Sequence, residues 1–347
     1  MDILFCGLKN EYGNPSSVLS FEYKNLFQPL QRMTGITASF FATDDGLNIG
    51  KRDTMNQRLM QAVQEQKPDL LFCFLFTEEL KKETIERITK KTGTKTFNWF
   101  ADDHWRFPIY SKYWAPSFTA VATTDSLAVA KYRSIGIEVI KTQWAAAELG
   151  KLESGNVQFS NEISFVGKNY GKREKYIAYL EQQKLTVKAF GKGWEGGVVS
   201  DADLATIFSR SRINLNFTES YIDWKKQAVQ FFLRKELGNY YVQNHFLGQV
   251  QSTIGKMRPQ IKSRIFEIPA RGGFLLTGEA DNLRDYYEEG KEIIIFDSAG
   301  DLAEKCRYYL THEAERAAIA KAGYERTARE HTYEKRFTEI FKKMALW

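Results

Sequence analysis

Short apolar runs alternate with longer amphipathic stretches along almost the whole chain, and a chain so patterned has few ways to bury itself. Each run makes a strand buried on both faces, and the amphipathic stretch after it makes a helix that covers one of them. The repeat is therefore that of βα units on a parallel sheet. Strands are predicted at Asp2 to Leu8, Ile36 to Ala42, Leu70 to Phe76, Thr94 to Phe100 and Ala120 to Thr123, with helices at Val18 to Met33, Thr54 to Gln66, Glu78 to Thr92 and Ser126 to Gly136. A polar tract, Glu148 to Glu162, interrupts the pattern with Gly150, Ser154 and Gly155 and reads as a linker. Beyond it the alternation resumes, with strands at Ile163 to Val166, Thr186 to Phe190, Ile213 to Phe217, Phe274 to Thr277 and Ile293 to Phe296. At 347 residues the chain is too long for one ordinary core and suits two domains of roughly 150 to 200 residues. The expected division is 1–150, 151–330 and a last amphipathic helix in 331–347.

Composition removes several function classes. The longest uninterrupted apolar run, Leu70 to Phe76, is far short of the roughly 20 residues of a membrane-spanning helix. The N-terminus enters a strand directly, without the regions of a secretory signal, so a cytoplasmic location is expected. Cys6, Cys73 and Cys306 lie in apolar or helical patterns without zinc-ligand spacing and are expected to be reduced core thiols. No Walker A, HExxH or GxSxG sequence is present. Gly191 to Gly196 is a literal GxGxxG, but Val198, Val199 and Ser200 intervene before helix signals begin near Asp201, and the next strand ends in Asn214 and Asn216 rather than an acidic residue. A dinucleotide fingerprint needs a helix starting within the glycines, so this one is a decoy. The net charge is +6, and seven basic residues against three acidic ones between Glu219 and Lys262 supply most of the excess. A local anionic partner follows more naturally than general nucleic-acid coating.

Doubly wound domains bind ligands at the carboxyl ends of their strands, which directs attention to the loops after Leu8, Phe76 and Phe100. Asp102, Asp103 and His104 sit at such an end, and carboxylate beside imidazole is an acid/base set; a polar turn capping the next segment is the plainer reading. Gly13 and Asn14 in the first loop are candidates to approach acceptor or diphosphate, although turn formation explains both.

The second half resembles the C-terminal domain of group 1 glycosyltransferases, most nearly the CgeB-like (spore maturation protein-like) branch. The residues that carry the resemblance are Arg264 to Thr277 (RIFEIPARGGFLLT), Asn282 to Phe296, Leu302-Ala-Glu-Lys, Gly323 and His331-Thr-Tyr-Glu-Lys-Arg336. Phe165 to Arg173, Gly191-Lys-Gly-Trp194, Ile213 to Asn216 and Asn98 to Trp105 are similar to the same branch. The resemblance implies an α/β chain of GT-B fold: two Rossmann-like, doubly wound parallel-sheet domains facing a cleft, with the C-terminal helix returning to the first. It implies transfer of a sugar from a nucleotide diphosphate donor, with UDP the expected nucleotide, to an acceptor that is a glycan, a lipid-linked sugar, a protein or a nucleic acid. No metal or other cofactor is expected, since the spacing of Asp102 and Asp103 is wrong for a metal-binding DxD.

By the same resemblance Glu267 matches the glutamate that holds the nucleotide ribose. The earlier glutamate of the E-x7-E pair is replaced by Pro259. A carboxylate opening a helix suits two vicinal hydroxyls. Lys168, Arg173 and Arg264 are the candidates for the diphosphate, whose charge must be stabilised as the glycosidic bond breaks. Gly191, Gly193, Trp194 and Ser200 would contact the base. About 40 residues, Ser220 to Pro259, stand where the family has a short connection, and their aromatic residues are interleaved with Lys225, Lys226, Arg234 and Lys235. Packing on the second domain and acceptor binding by these cations are the two expectations for this insertion 220–259. Loss of the first glutamate leaves room for a non-catalytic nucleotide-sugar or glycan-binding protein, and the basic insertion for a nucleic-acid-modifying sugar transferase.

Overall fold

The computed structural model describes every residue except 76, 153–157, 221, 237–238 and 243–245, and the backbone alone of 226, 234–236 and 239–242. The strands are β1 (Asp2–Gly7), β2 (Thr37–Ala42), β3 (Leu70–Cys73), β4 (Lys95–Phe100), β5 (Ala120–Thr123), β6 (Val139–Lys141), β7 (Asn161–Val166), β8 (Val187–Phe190), β9 (Ser211–Asn216), β10 (Leu233–Glu236), β11 (Asn239–Val242), β12 (Leu275–Gly278) and β13 (Ile294–Phe296). They fall into two compact units. The first comprises Met1–Gln143, Asp223–Gly255 and Tyr333–Trp347, the second Trp144–Ile222 and Lys256–Thr332.

The first unit holds a parallel six-stranded sheet in the order β2-β1-β3-β4-β5-β6. Its central strands β1, β3, β4 and β5 are buried on both faces, as their near-continuous apolar sequences require, while the edge strands β2 and β6 are partly exposed. Leu4, Cys6, Leu71 and Cys73 face the helical layer that contributes Met55, Leu59, Ile85 and Ile88. On the other face Phe5 and Phe72 stack at 5.1 Å. There the C-terminal helix Tyr333–Lys343 closes the sheet, with Phe337 edge-on to Phe72 (5.7 Å) and Trp99 (6.4 Å). Arg336 Nε donates to the Gln143 carbonyl (3.2 Å) and Lys95 Nζ to that of Met344 (2.9 Å), fixing both ends of the helix. The apolar spacing of Phe337, Ile340 and Phe341 thus does what the sequence expects, and all three are fully buried.

The second unit holds a parallel five-stranded sheet, β13-β12-β9-β7-β8. Asn214, inside β9, and Asn216, its last residue, are tied into the core rather than facing a ligand. Asn214 Nδ2 donates to the Phe208 carbonyl (3.0 Å), Ser164 Oγ donates to Asn214 Oδ1 (3.0 Å), and Asn216 Nδ2 donates to Thr277 Oγ1 (2.9 Å). His331 is likewise a core residue, its Nε2 at 2.7 Å from the Tyr286 carbonyl and its ring packed by Phe266 and Tyr287.

Two features depart from the sequence expectation. The short strand β6 and the antiparallel pair β10-β11 were not foreseen, because three or four residues of mixed polarity carry too weak a period. The insertion also belongs elsewhere: Asp223–Gly255 clusters with the first unit, not with the second domain in which the sequence places it. Gly255 shows why. A Cβ there would lie 1.8 Å from the His104 carbonyl oxygen and 3.0 Å from the Trp105 Cα, so glycine allows its helix, Phe246–Lys256, to lie directly on the turn after β4.

Candidate functional site

In each sheet the strand order reverses beside the first strand of the unit, between β1 and β3 in one and between β7 and β9 in the other. The loops leaving the carboxyl ends of those strands open a crevice, and ligands of doubly wound folds bind there.

At the second switch point the loop after β7 and the glycine loop after β8 are built onto each other. The Gly167 amide donates to the Phe190 carbonyl (2.9 Å), the Asn169 amide to the Lys192 carbonyl (2.9 Å), and Trp194 Nε1 to the Gly167 carbonyl (2.8 Å). Gly191, at φ +118°, has no room for a side chain, since a Cβ would lie 2.4 Å from the Gly167 carbonyl oxygen. Gly193, at φ +89°, faces the Asn169 Cβ at 3.0 Å. Both glycines are thus demanded by close backbone approach. Trp194 spends its N–H on that contact and packs edge-on to Phe165 (6.0 Å), which accounts for it as packing. Ser200 is the N-cap of the helix Asp201–Ser209 in a reciprocal capping box with Asp203.

Arg173, the first residue of the helix Arg173–Gln182, is buried. It donates to the Lys168 carbonyl (2.8 Å) and the Tyr170 hydroxyl (3.0 Å), and its guanidinium lies 4.0 Å from the Tyr170 ring centroid. Burial lowers its pKa from the usual arginine value. It holds the Lys168–Tyr170 turn in shape, with Lys168 itself exposed. Arg264 and Glu267 form an ion pair one turn apart on the helix Arg264–Ala270. The carboxylate meant for the ribose is therefore held by the guanidinium meant for the diphosphate.

Lys262, which sequence reasoning passed over, links these parts. Its Nζ donates to the carbonyls of Phe217 (3.3 Å) and Glu219 (3.0 Å) and lies 3.5 Å from the Tyr170 hydroxyl, joining the loops that leave β7 and β9. Glu219 in turn receives Lys172 (3.3 Å) and the Tyr176 hydroxyl (3.3 Å). The signal available was position: Lys262 stands just before the helix that carries Arg264 and Glu267.

In the first unit the turn after β4 points largely inward. The main-chain carbonyl of Asp102 accepts from the Trp105 (3.1 Å) and Arg106 (2.8 Å) amides and starts a short helix. Asp103 is completely buried, accepts from the Tyr132 hydroxyl (2.9 Å), and has its pKa pushed up to about 7, chiefly by burial and also by the nearby Asp125. His104 is buried as well, beneath Gly255. Gly13, at φ +69°, packs against Leu47, and Asn14 Oδ1 closes a turn by accepting the Ser16 amide (3.2 Å), so each has a local structural task. Past β3 a groove of about 510 Å³ is lined by Arg52, Glu78, Lys81, Lys82, Glu83 and Trp114, at the loop the sequence marks as following Phe76. Lys225 is exposed, while the side chains of Lys226, Arg234 and Lys235 lie outside the described residues.

Residues 173–342 match a family model described as "Glycosyl transferase-like". The C-terminal half of the chain is therefore glycosyltransferase-like, and the whole chain has the GT-B fold. Its structure is similar over its whole length to that of Anabaena HepE solved in complex with UDP, at 10% sequence identity and a TM-score of 0.56, with all of that chain covered too. It also resembles the lipopolysaccharide outer core galactosyltransferase WaaB in its apo form (14% identity, TM-score 0.52, 99% of this chain and all of that one). Sucrose-phosphate synthase from Thermosynechococcus elongatus is a third (9% identity, TM-score 0.53, 99% and 98%). At such identities the likeness establishes the fold. A comparison with curated protein sequences gave no match. Among the described residues no helix is long and apolar enough to cross a membrane.

Proposed function

We propose that this chain is a glycosyltransferase that takes its sugar from a UDP-sugar, bound at the switch point of the second unit, without a metal ion. The observation that carries the reading is that Lys262, just before the helix with the Arg264–Glu267 pair, joins the loops leaving β7 and β9, and that the β7 loop, which carries Lys168, is closed on the glycine loop after β8. The leaving nucleoside diphosphate carries two or more negative charges, and fixed cations stabilise it as the glycosidic bond breaks. Lys168 and Lys262 are assigned to the diphosphate, and Arg264 joins them once the ribose hydroxyls take Glu267 from it. Arg173 acts by holding the Lys168 turn. The backbone at Gly191, Gly193 and Ser200 is assigned to the base. HepE has been solved with UDP and with UDP-glucose, which supports the choice of uridine nucleotide.

The first unit is assigned the acceptor. His104 is its candidate base, Asp102 and Asp103 shape the turn that carries it, and the groove beside Trp114 is a place for a hydroxyl-bearing acceptor. The sequence motifs from Phe165 to Arg336 support a place in the CgeB-like branch. The division into 1–150, 151–330 and 331–347 is kept as the functional one, with Asp223–Gly255 of the insertion 220–259 reassigned to the acceptor side on the strength of its packing. Calorimetric titration with UDP, GDP, ADP and CMP, followed by donor hydrolysis with sugars of the tightest nucleotide, tests the reading. Equal, weak binding of all four would refute it.

A further inference from the structure

We propose that the insertion Asp223–Gly255 is a docking surface for an anionic lipid bilayer, an inference independent of the donor assignment above. Its two helices are packed inside out. In Trp224–Phe232 the polar Gln227 is buried (2% exposed), while Trp224 (61%), Val229 and Phe232 (70%) face water. Trp224, Ala228 and Phe232 are four residues apart and so form one exposed stripe. In Phe246–Lys256 the side buried by the domain carries Gln249, Ser252, Thr253 and Gly255, while Phe246, Leu247 (77%) and Ile254 (59%) are exposed. The rings of Phe231 and Phe246 meet at 5.7 Å, joining the end of one helix to the start of the other, where Phe232, Leu233, Phe246 and Leu247 are all exposed. A helix that serves only its own domain turns its apolar side inward. Two consecutive helices with the opposite arrangement present an apolar patch outward, and such patches mark interaction sites.

Charge selects the occupant. Lys225 is exposed beside Trp224, and Lys226, Arg234 and Lys235 flank the same aromatics in sequence, against Asp223 and Glu236 as the acids of the segment. Asp223 is partly engaged by the Lys225 amide (3.1 Å). A second copy of this chain, packed through a two-fold axis, would set these cations against their own equivalents. A bilayer with anionic headgroups takes both components at once: Trp and Phe enter the interface, and Lys and Arg meet the phosphates.

The test is co-sedimentation of the full chain with vesicles of phosphatidylcholine alone and of phosphatidylcholine mixed with phosphatidylglycerol, alongside a triple variant Trp224→Ser, Phe232→Ser, Leu247→Ser. These side chains are exposed, so circular dichroism and the melting temperature serve as controls for folding. The wild type should sediment with the anionic vesicles, more weakly as salt is raised, and the variant should lose roughly tenfold or more in affinity from its missing apolar area. Lys225→Glu combined with Lys226→Glu should lose binding to anionic vesicles while keeping the same melting temperature. Failure of the wild type to sediment, or equal sedimentation of the triple variant, would overturn the proposal. So would a concentration-dependent dimer that the triple variant abolishes, which would make a second copy the occupant.

Discussion

Replacing Asp103 with Asn isolates the cost of burying one carboxyl group in the turn assigned to the acceptor side. Asp103 is wholly buried, and its pKa stands at about 7 against 3.8 in the ordinary state. The difference of roughly three units corresponds to about 4 kcal/mol, at about 1.4 kcal/mol per unit. The sign follows from which state holds the proton. Below about pH 4 both folded and unfolded chains are protonated at this site, and nothing is lost. Between about pH 4 and pH 7 the unfolded chain releases the proton while the folded chain keeps it, so stability falls as pH rises, and above about pH 7 the loss is constant. Asn removes this titration and still accepts from the Tyr132 hydroxyl. In urea unfolding the variant should therefore gain on the wild type by up to about 4 kcal/mol between about pH 4 and about pH 8. A difference in stability that does not change with pH would refute the assignment.

Glu267→Ala should weaken UDP binding by about 1 to 3 kcal/mol in calorimetry, the worth of hydrogen bonds to a charged group; unchanged affinity would remove Glu267 from the ribose site. Lys262→Ala should reduce affinity for UDP more than for uridine, and equal losses for both would mean that the lysine only ties the loops. His104→Ala should lower turnover far more than donor affinity, because a group that acts in the transition state need not hold the ground state; wild-type turnover would take the residue out of the mechanism. Phe337→Ala, at a fully buried ring against Phe72 and Trp99, should cost about 3 to 5 kcal/mol in urea unfolding, and a cost below about 1 kcal/mol would show that the C-terminal helix does not close the sheet.

The sheets were legible because their central strands, buried on both faces, leave little choice of residue, and every predicted strand is present, with ends shifted by a few residues. The return of the C-terminal helix was legible from the single apolar face of Phe337, Ile340 and Phe341. Side-chain direction was not. Arg173 and Trp194 look like ligand contacts in sequence, yet each finds a backbone carbonyl, Arg173 that of Lys168 in its own loop and Trp194 that of Gly167 in the neighbouring one, and a hydrogen bond of that kind leaves no periodic trace. Lys262 escaped notice for the converse reason, being one cation among several in a basic segment. The location of the insertion was hidden because its helices reverse the rule that apolar residues face inward; Gly255, against the His104 carbonyl, marks the side on which it packs.

The central claim, that a uridine diphosphate sugar is the donor and needs no metal, is tested most directly by titrating the protein with UDP in buffer containing a chelator. The account predicts saturable binding with a dissociation constant of roughly micromolar order or better, tighter than that of uridine and unchanged by added magnesium or manganese. Absence of binding until a divalent cation is supplied, or affinity for uridine equal to that for UDP, would contradict it.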